Sequence, residues 1–273
     1  MKNLAVLGPK GTFSDEAANQ YISKNSIKIN KLYYSTIYDV VHALNNTCNT
    51  CIIPVENTLA GYVQESLDLL LETPAQIIDE IFIPVQFSLI ANTKNTSDIK
   101  NIFVQFKAKE QCTKILKQLK NSNITITDSN IESYEKYIKS KSGNAAIIPQ
   151  HIFNTSQKFF SLNNVTDSYN NTTRFLILSI NFHSSYILNK KNIKVSLYVL
   201  NASHKPGVLF GILKIFSENN INLISIISKP TKQELGSYNF FIELTGSISE
   251  KNIILKTIDQ LKIKYELKIL GIY

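Results

Sequence analysis

Arginine is almost absent from the chain: Arg174 stands alone among 29 basic residues, and the rest are lysine. A guanidinium fork grips a carboxylate through two parallel hydrogen bonds and an ammonium cannot. The lone arginine is therefore a place to look for anion recognition, with chance placement as the alternative. Cysteine is scarce as well. Cys48, Cys51 and Cys112 form an odd set with no export signal, so no disulfide framework is implied. The Cys48-x-x-Cys51 pair lacks the second pair or nearby histidines that zinc needs, and His42, His151, His183 and His204 are dispersed. The thiols read as structural, and no metal is expected. No apolar run reaches the ~18 residues of a membrane span, and Met1 leads almost directly into the strand-like Asn3 to Leu7 without a cleavage site. The expectation is a soluble cytoplasmic protein with no membrane partner.

With 273 residues, 44% of them hydrophobic and 18% charged, the chain has ample material for a core and is long enough for two domains. The net charge of +8 is spread along the whole chain among Asn, Ile and Ser rather than gathered in one basic tract, so no nucleic acid partner is expected.

Up to about residue 180, short apolar runs alternate with helical patterns, the signature of α/β packing around mostly parallel strands. Leu4 to Leu7 reads as the first strand, and a helix follows with Ser14 as N-cap and Asp15 and Glu16 in its first turn. Thr36-x-x-Asp39 looks like a capping start, and Cys51 to Pro54 like another strand. The stretch from Ile77 to Ala91 is too long for one strand and contains Pro84, so it reads as a crossover between two lobes. One helix is expected to carry Ala108, Cys112, Ile115, Leu116 and Leu119, and the strand from Arg174 to Ile180 returns to the first lobe. A polar stretch over 181–192 marks the domain boundary. Beyond it the order is β-α-β-β-α-β, a ferredoxin-like arrangement, whose first helix is expected to bury Val208, Leu209, Ile212, Leu213 and Phe216.

Three segments could carry chemistry. Gly8-Pro9-Lys10-Gly11-Thr12-Phe13-Ser14 lies between a strand and a helix, where glycines admit a ligand and the helix N-terminus offers N–H groups to an anion; the alternative is a capped glycine turn. Its spacing fits neither dinucleotide nor nucleotide phosphate loops. Pro54-Val55-Glu56-Asn57-Thr58-Leu59-Ala60-Gly61 ends a strand, where open α/β sheets bind ligands, or else caps a helix through Asn57 or Thr58 with Glu56 solvated. Asn170-Asn171-Thr172-Thr173-Arg174-Phe175 precedes the last strand of the first lobe and contains the lone arginine.

Together these segments resemble the G-P-x-G-T-[FY]-S, [VI]-E-N-[ST]-x-x-G and N-x-T-R-F motifs of the prephenate dehydratase family, and residues 193–273 resemble its ACT domain. The resemblance implies a catalytic domain over 1–182, with two lobes like type 2 periplasmic binding proteins, followed by an ACT domain over 191–273. It also implies a hydro-lyase without cofactor that turns prephenate into phenylpyruvate, carbon dioxide and water for phenylalanine synthesis. The substrate is expected in the cleft, and phenylalanine is the expected feedback effector. A homodimer or dimer of dimers paired through the ACT domains is implied, in the form without a chorismate mutase segment. Thr173, essential by the resemblance, would donate to the departing oxygen, with Glu56 orienting Asn57 or helping to supply a proton. Arg174 would anchor a carboxylate, with the amides around Gly11 and Thr12 as a second anionic contact. Ser14, Asn57, Thr58, Gly61, Asn171 and Phe175 complete the expected substrate site. Gly207, Val208, Leu209, Ser228, Lys229 and Pro230 are the expected effector site. An arogenate dehydratase or a non-catalytic bilobal binding protein for a small anion or amino acid are the alternatives.

The chain departs from the family at two places. Val104-Gln105-Phe106-Lys107 stands where S-H-P-Q is usual ahead of Gln111-Cys112, and Ile227-Ser228-Lys229-Pro230 replaces E-S-R-P. The second replacement deletes one charge and exchanges a fork for a point charge, so weakened phenylalanine feedback is expected.

Overall fold

The structure is a computed structural model that describes residues 3–152, 160–181, 191–202, 206–232 and 236–273. The first lobe runs β1 (Asn3–Leu7), α1 (Phe13–Asn25), β2 (Asn30–Tyr34), α2 (Ile37–His42), β3 (Thr50–Asn57), β4 (Gly61–Tyr62), α3 (Gln64–Glu72) and β5 (Gln76–Pro84). The second runs β6 (Phe87–Ala91), β7 (Asn101–Gln105), α4 (Phe106–Gln111), α5 (Thr113–Gln118), β8 (Asn123–Thr127), α6 (Asn130–Ile138), β9 (Asn144–Pro149) and β10 (Ser161–Leu162). The chain then returns as β11 (Thr172–Ser179) to the middle of the first sheet, whose order is β2-β1-β3-β11-β5 with β4 paired to β3. The second sheet has the order β10-β6-β9-β7-β8. In both, the parallel strands alternate with helices, and antiparallel pairs form where the chain crosses over and returns. The two crossing segments lie side by side, because Val85 N donates to Asn171 O at 2.8 Å.

The C-terminal unit is β12 (Asn192–Ala202), α7 (Val208–Glu218), β13 (Leu223–Pro230), β14 (Tyr238–Ser247), α8 (Lys251–Lys264) and β15 (Leu267–Ile272), with sheet order β13-β14-β12-β15. One face of this sheet buries Val195, Leu197, Ile242 and Leu244 under Ile212, Phe216, Ile258 and Leu261 of the two helices. The other face joins the core of the first lobe: Tyr198, Phe241, Leu270 and Tyr273 pack with Cys51, Ile53 and Leu67. Burial of large side chains such as Tyr198 and Phe241 contributes roughly 1.5–3 kcal/mol each. Gly271 permits the close approach of β15 to β5, since a Cβ there would stand 2.9 Å from Ile77 Cβ.

Three local expectations are corrected. Thr12, rather than Ser14, caps α1, accepting from Asp15 N at 3.3 Å. The single helix expected over 108–119 is two helices broken at Cys112, because Asp167 takes the Thr113 and Lys114 amides at 2.8 and 2.9 Å and starts a new one. In α7, Leu209 and Leu213 face outward and Ile215 takes their place in the core. Of the two readings of the Glu56 to Thr58 segment, helix capping by Asn57 does not hold, since Asn57 ends β3. Most of the polar stretch over 181–192 lies outside the described residues. Among the described residues, no helix is long and apolar enough to cross a membrane.

Candidate active site

Strands β3 and β11 pair antiparallel, with Asn57 opposite Thr173 and Glu56 opposite Arg174. Side chains alternate across a strand, so this register sorts the four residues into two pairs on opposite faces of the sheet. Asn57 and Thr173 share one face. Asn57 Nδ2 donates to Thr173 Oγ1 at 3.0 Å, to Asn171 Oδ1 at 2.8 Å and to Thr172 O at 3.3 Å. Its Oδ1 accepts from the Leu59 and Ala60 amides at 3.0 and 3.1 Å, which fixes which way the amide points. Thr58 and Thr172 bridge the same strands through Thr58 N to Thr172 O at 2.9 Å. Gly61, at φ +75, turns the chain into β4.

The network reaches into the second lobe. Asn171, fully buried, donates from Nδ2 to Gln111 Oε1 at 2.9 Å. Gln111 ends α4, and the sequence reading left it without a role. Its one signal was its place beside Cys112 after the altered S-H-P-Q segment. There, Gln105 caps α4 by accepting from Lys107 N at 2.8 Å and Ala108 N at 3.2 Å, which is how the chain starts this helix without the usual Ser-His pair.

The first motif closes against the second lobe. His151 Nε2 donates to Gly11 O at 3.1 Å, and Phe13 meets the rings of His151 and Phe87 edge-on at 5.2 and 5.6 Å. Gly11 has φ +88, and a Cβ on it would overlap Ile131. The expected anion contact at Gly11 and Thr12 is not open: Gly11 N donates to Asp15 Oδ2 at 2.8 Å and Thr12 N to Pro9 O at 3.4 Å. Asp15 itself is buried, bonded to Lys31 and to Tyr33 OH. Burial pushes its carboxyl up, and the bonds from Lys31, Tyr33 and Gly11 outweigh that and hold it below the usual range. Ser14 is buried in the first turn of α1.

Two further expectations change with the face, and a third with burial. Arg174 is 5% exposed and points to the C-terminal unit: Nη1 and Nη2 grip Glu243 Oε2 and Oε1 at 2.7 and 2.8 Å, Nε donates to Glu80 Oε2 at 2.7 Å and Nη2 to Tyr273 OH at 2.8 Å. Its fork is filled by protein carboxylates and does not face a ligand in the cleft. Glu56 lies on that side too, 3.5 Å from Arg174 Nη1, away from Asn57 and Thr173. Phe175 is core, packed with Leu4, Val6 and Ile177.

In the C-terminal unit Gly207, at φ +87, precedes α7, whose Val208 is half-buried and Leu209 exposed. Ser228 and Pro230 are exposed. Lys229 is buried on the other face, where Nζ meets Asp68 Oδ1 at 2.7 Å and Gln64 Oε1 at 2.9 Å of α3. Ile227 packs against the first-lobe core. Both therefore line the junction with the first lobe rather than the α7 side of the sheet.

Two α/β lobes whose polar motifs meet at their junction, followed by a four-stranded βαββαβ unit, define a two-lobed α/β protein with a ferredoxin-like C-terminal unit. The family model described as prephenate dehydratase matches residues 4–182, and that of the ACT domain residues 195–256. The chain belongs to the prephenate dehydratase family. It is 30% identical over 259 residues to a prephenate dehydratase of Methanocaldococcus jannaschii, covering 92% of this chain and 91% of that one. With a prephenate dehydratase of Lactococcus lactis subsp. cremoris the identity is 27%, over 99% and 96% of the two chains. The crystal structure of the Staphylococcus aureus prephenate dehydratase superimposes with a TM-score of 0.81 at 28% identity over 100% of both chains. A structure from Arthrobacter aurescens in complex with L-Phe shares the fold, with a TM-score of 0.79 and 24% identity over 99% of this chain and 89% of that one.

Proposed function

We propose that the protein turns prephenate into phenylpyruvate, carbon dioxide and water, with Thr173 donating a hydrogen bond to the departing C4 oxygen. Prephenate is a dianion. Its ring carboxylate leaves as carbon dioxide and its C4 hydroxyl takes up a proton and leaves as water, and both losses are driven by aromatisation. The hard part is stabilising charge on the departing oxygen, which a fixed donor does well.

The observation that carries the assignment is the Asn57–Thr173 bond. With Asn57 Oδ1 held by two backbone amides, its Nδ2 faces Thr173 Oγ1 at 3.0 Å. The threonine oxygen then accepts, and its own proton has no acceptor among the described residues, so it is available to the substrate. Asn171 and Gln111 hold Asn57 in turn and tie the two lobes to the same hydroxyl.

The exposed apolar side chains Leu209, Phe210, Leu213, Ile224 and Ile226 on α7 and the edge strand β13 favour pairing of two chains through this unit. Phenylalanine would bind there, at the Gly207 turn. The protein would work in the cytoplasm, where its substrate is made. Purified protein given prephenate should form phenylpyruvate, read as its enolate absorbance in alkali, with arogenate tested alongside. A rate no higher than the spontaneous one at neutral pH would overturn the reading.

A further inference from the structure

Glu243 belongs to β14 of the C-terminal unit, yet it meets β11 through Arg174 and β4 through Tyr62 from behind the cleft. It is fully buried. Its Oε2 accepts from Arg174 Nη1 at 2.7 Å and from Tyr62 OH at 3.1 Å; its Oε1 accepts from Arg174 Nη2 at 2.8 Å and Ser196 Oγ at 2.6 Å. Arg174 directly follows Thr173, and Tyr62 directly follows Gly61. The pairing of β11 with β3 shifts register between Arg174 and Phe175, and an irregularity of this kind re-aims the side chains beside it. A buried ion pair is weak evidence for stability, because desolvation offsets its attraction. The geometry points to Glu243 as a positioning residue for the dehydration: its bidentate grip on Arg174 fixes the pitch of β11 and so the aim of the Thr173 hydroxyl. The inference rests on the dehydratase reading.

The unit so far assigned to regulation thereby supplies part of the scaffold for the reacting hydroxyl. Displacement of its sheet would act on Thr173 through one carboxylate. Glu80, which accepts from Arg174 Nε and is paired with Lys194 at 2.8 Å, adds to the clamp.

Steady-state kinetics with prephenate and thermal unfolding on the full chain test this. Glu243→Gln sets an amide against the guanidinium. The double variant Arg174→Met with Glu243→Leu removes both charges, leaves no unpaired buried ion and should restore the unfolding temperature. Both should lower kcat about 10- to 100-fold, because a misplacement of ~1 Å costs that much, with KM within about 3-fold of the unmodified protein. A double variant with kcat within about 2-fold of the unmodified protein would overturn the proposal. So would a kcat that follows the unfolding temperature across the set. Tyr62→Phe removes one bond to Glu243 and no charge, and it decides the matter if the other variants do not fold: kcat lower by about 3- to 10-fold at an unchanged unfolding temperature supports the role, and unchanged kcat refutes it. An unmodified protein that makes no phenylpyruvate fails at the earlier step, the dehydratase reading, and removes the basis of this one.

Discussion

Thr173 is a weak acid on its own, and its usefulness depends on which way its proton points. Removing it should lower kcat of Thr173→Ala by roughly 10²- to 10⁴-fold. Asn57→Asp is the sharper test. It replaces the donor 3.0 Å from Thr173 Oγ1 with a carboxylate, which would accept the threonine proton and turn it away from the substrate. A kcat as low as that of Thr173→Ala is expected; near-normal turnover at saturating prephenate would show that the hydroxyl is not aimed by Asn57. The three motif segments were legible in the sequence, and so were Asn57, Asn171 and Thr173. The face of each residue was not. Ending the strand at Pro54, with Glu56 to Thr58 beyond it, concealed the fact that the strand continues to Asn57, after which alternation alone sets Glu56 and Arg174 on the opposite side. Glu243, some 70 residues further on, gives no local sign that it will meet Arg174.

At the scale of elements, α1 shows how a helix start can be spent within the protein. Its Asp15 occupies the position an anionic ligand would take, bonded to Gly11 N, Lys31 and Tyr33. The carboxyl is held below its usual range despite burial. A depressed carboxyl contributes stability that is present above its unfolded pKa of ~3.9 and is lost as pH falls through the lower folded value. Asp15→Asn should therefore be less stable near neutrality and show a flatter acid limb in urea unfolding followed against pH. An unchanged slope below pH ~4 would contradict this. Gly11→Ala meets both a left-handed backbone and Ile131. It should cost about 1–3 kcal/mol, read as a lower urea midpoint at constant m. The succession of elements was readable because Ile, Leu and Val runs alternate with helical periodicity, and the βαββαβ order followed directly. The break at Cys112 was hidden, since its cause is Asp167, over 50 residues downstream. The outward turn of Leu209 and Leu213 was hidden because α7 is apolar on more than one face.

For the molecule as a whole, the C-terminal sheet carries the proposed effector surface and is also part of the first lobe's core, and this bears on feedback. An amino-acid effector at the Gly207 turn can use backbone N–H groups at the start of α7. Lys229 is not free to join them. It lies across the sheet, held by Asp68 Oδ1 at 2.7 Å and Gln64 Oε1 at 2.9 Å, and Ile227 beside it faces the first-lobe core. Neither position therefore offers the effector a charge-assisted contact. A contact of that kind is worth roughly 1.5–3 kcal/mol, or about 10- to 150-fold in affinity. Phenylalanine should inhibit weakly, and calorimetry should give a correspondingly weak binding constant. Ile227→Glu combined with Lys229→Arg should leave inhibition equally weak, because both positions face the first-lobe junction and not the Gly207 turn. Strong inhibition of the unmodified protein at low micromolar phenylalanine would refute the argument. The face that would pair two chains gives a separate check: Phe210, 69% exposed on α7, tolerates a charge in a monomer but not in an apolar interface. Phe210→Glu should therefore sediment as a monomer at micromolar concentration and lose its response to phenylalanine while keeping its dehydratase rate, whereas a variant that still pairs and still responds would place the interface elsewhere.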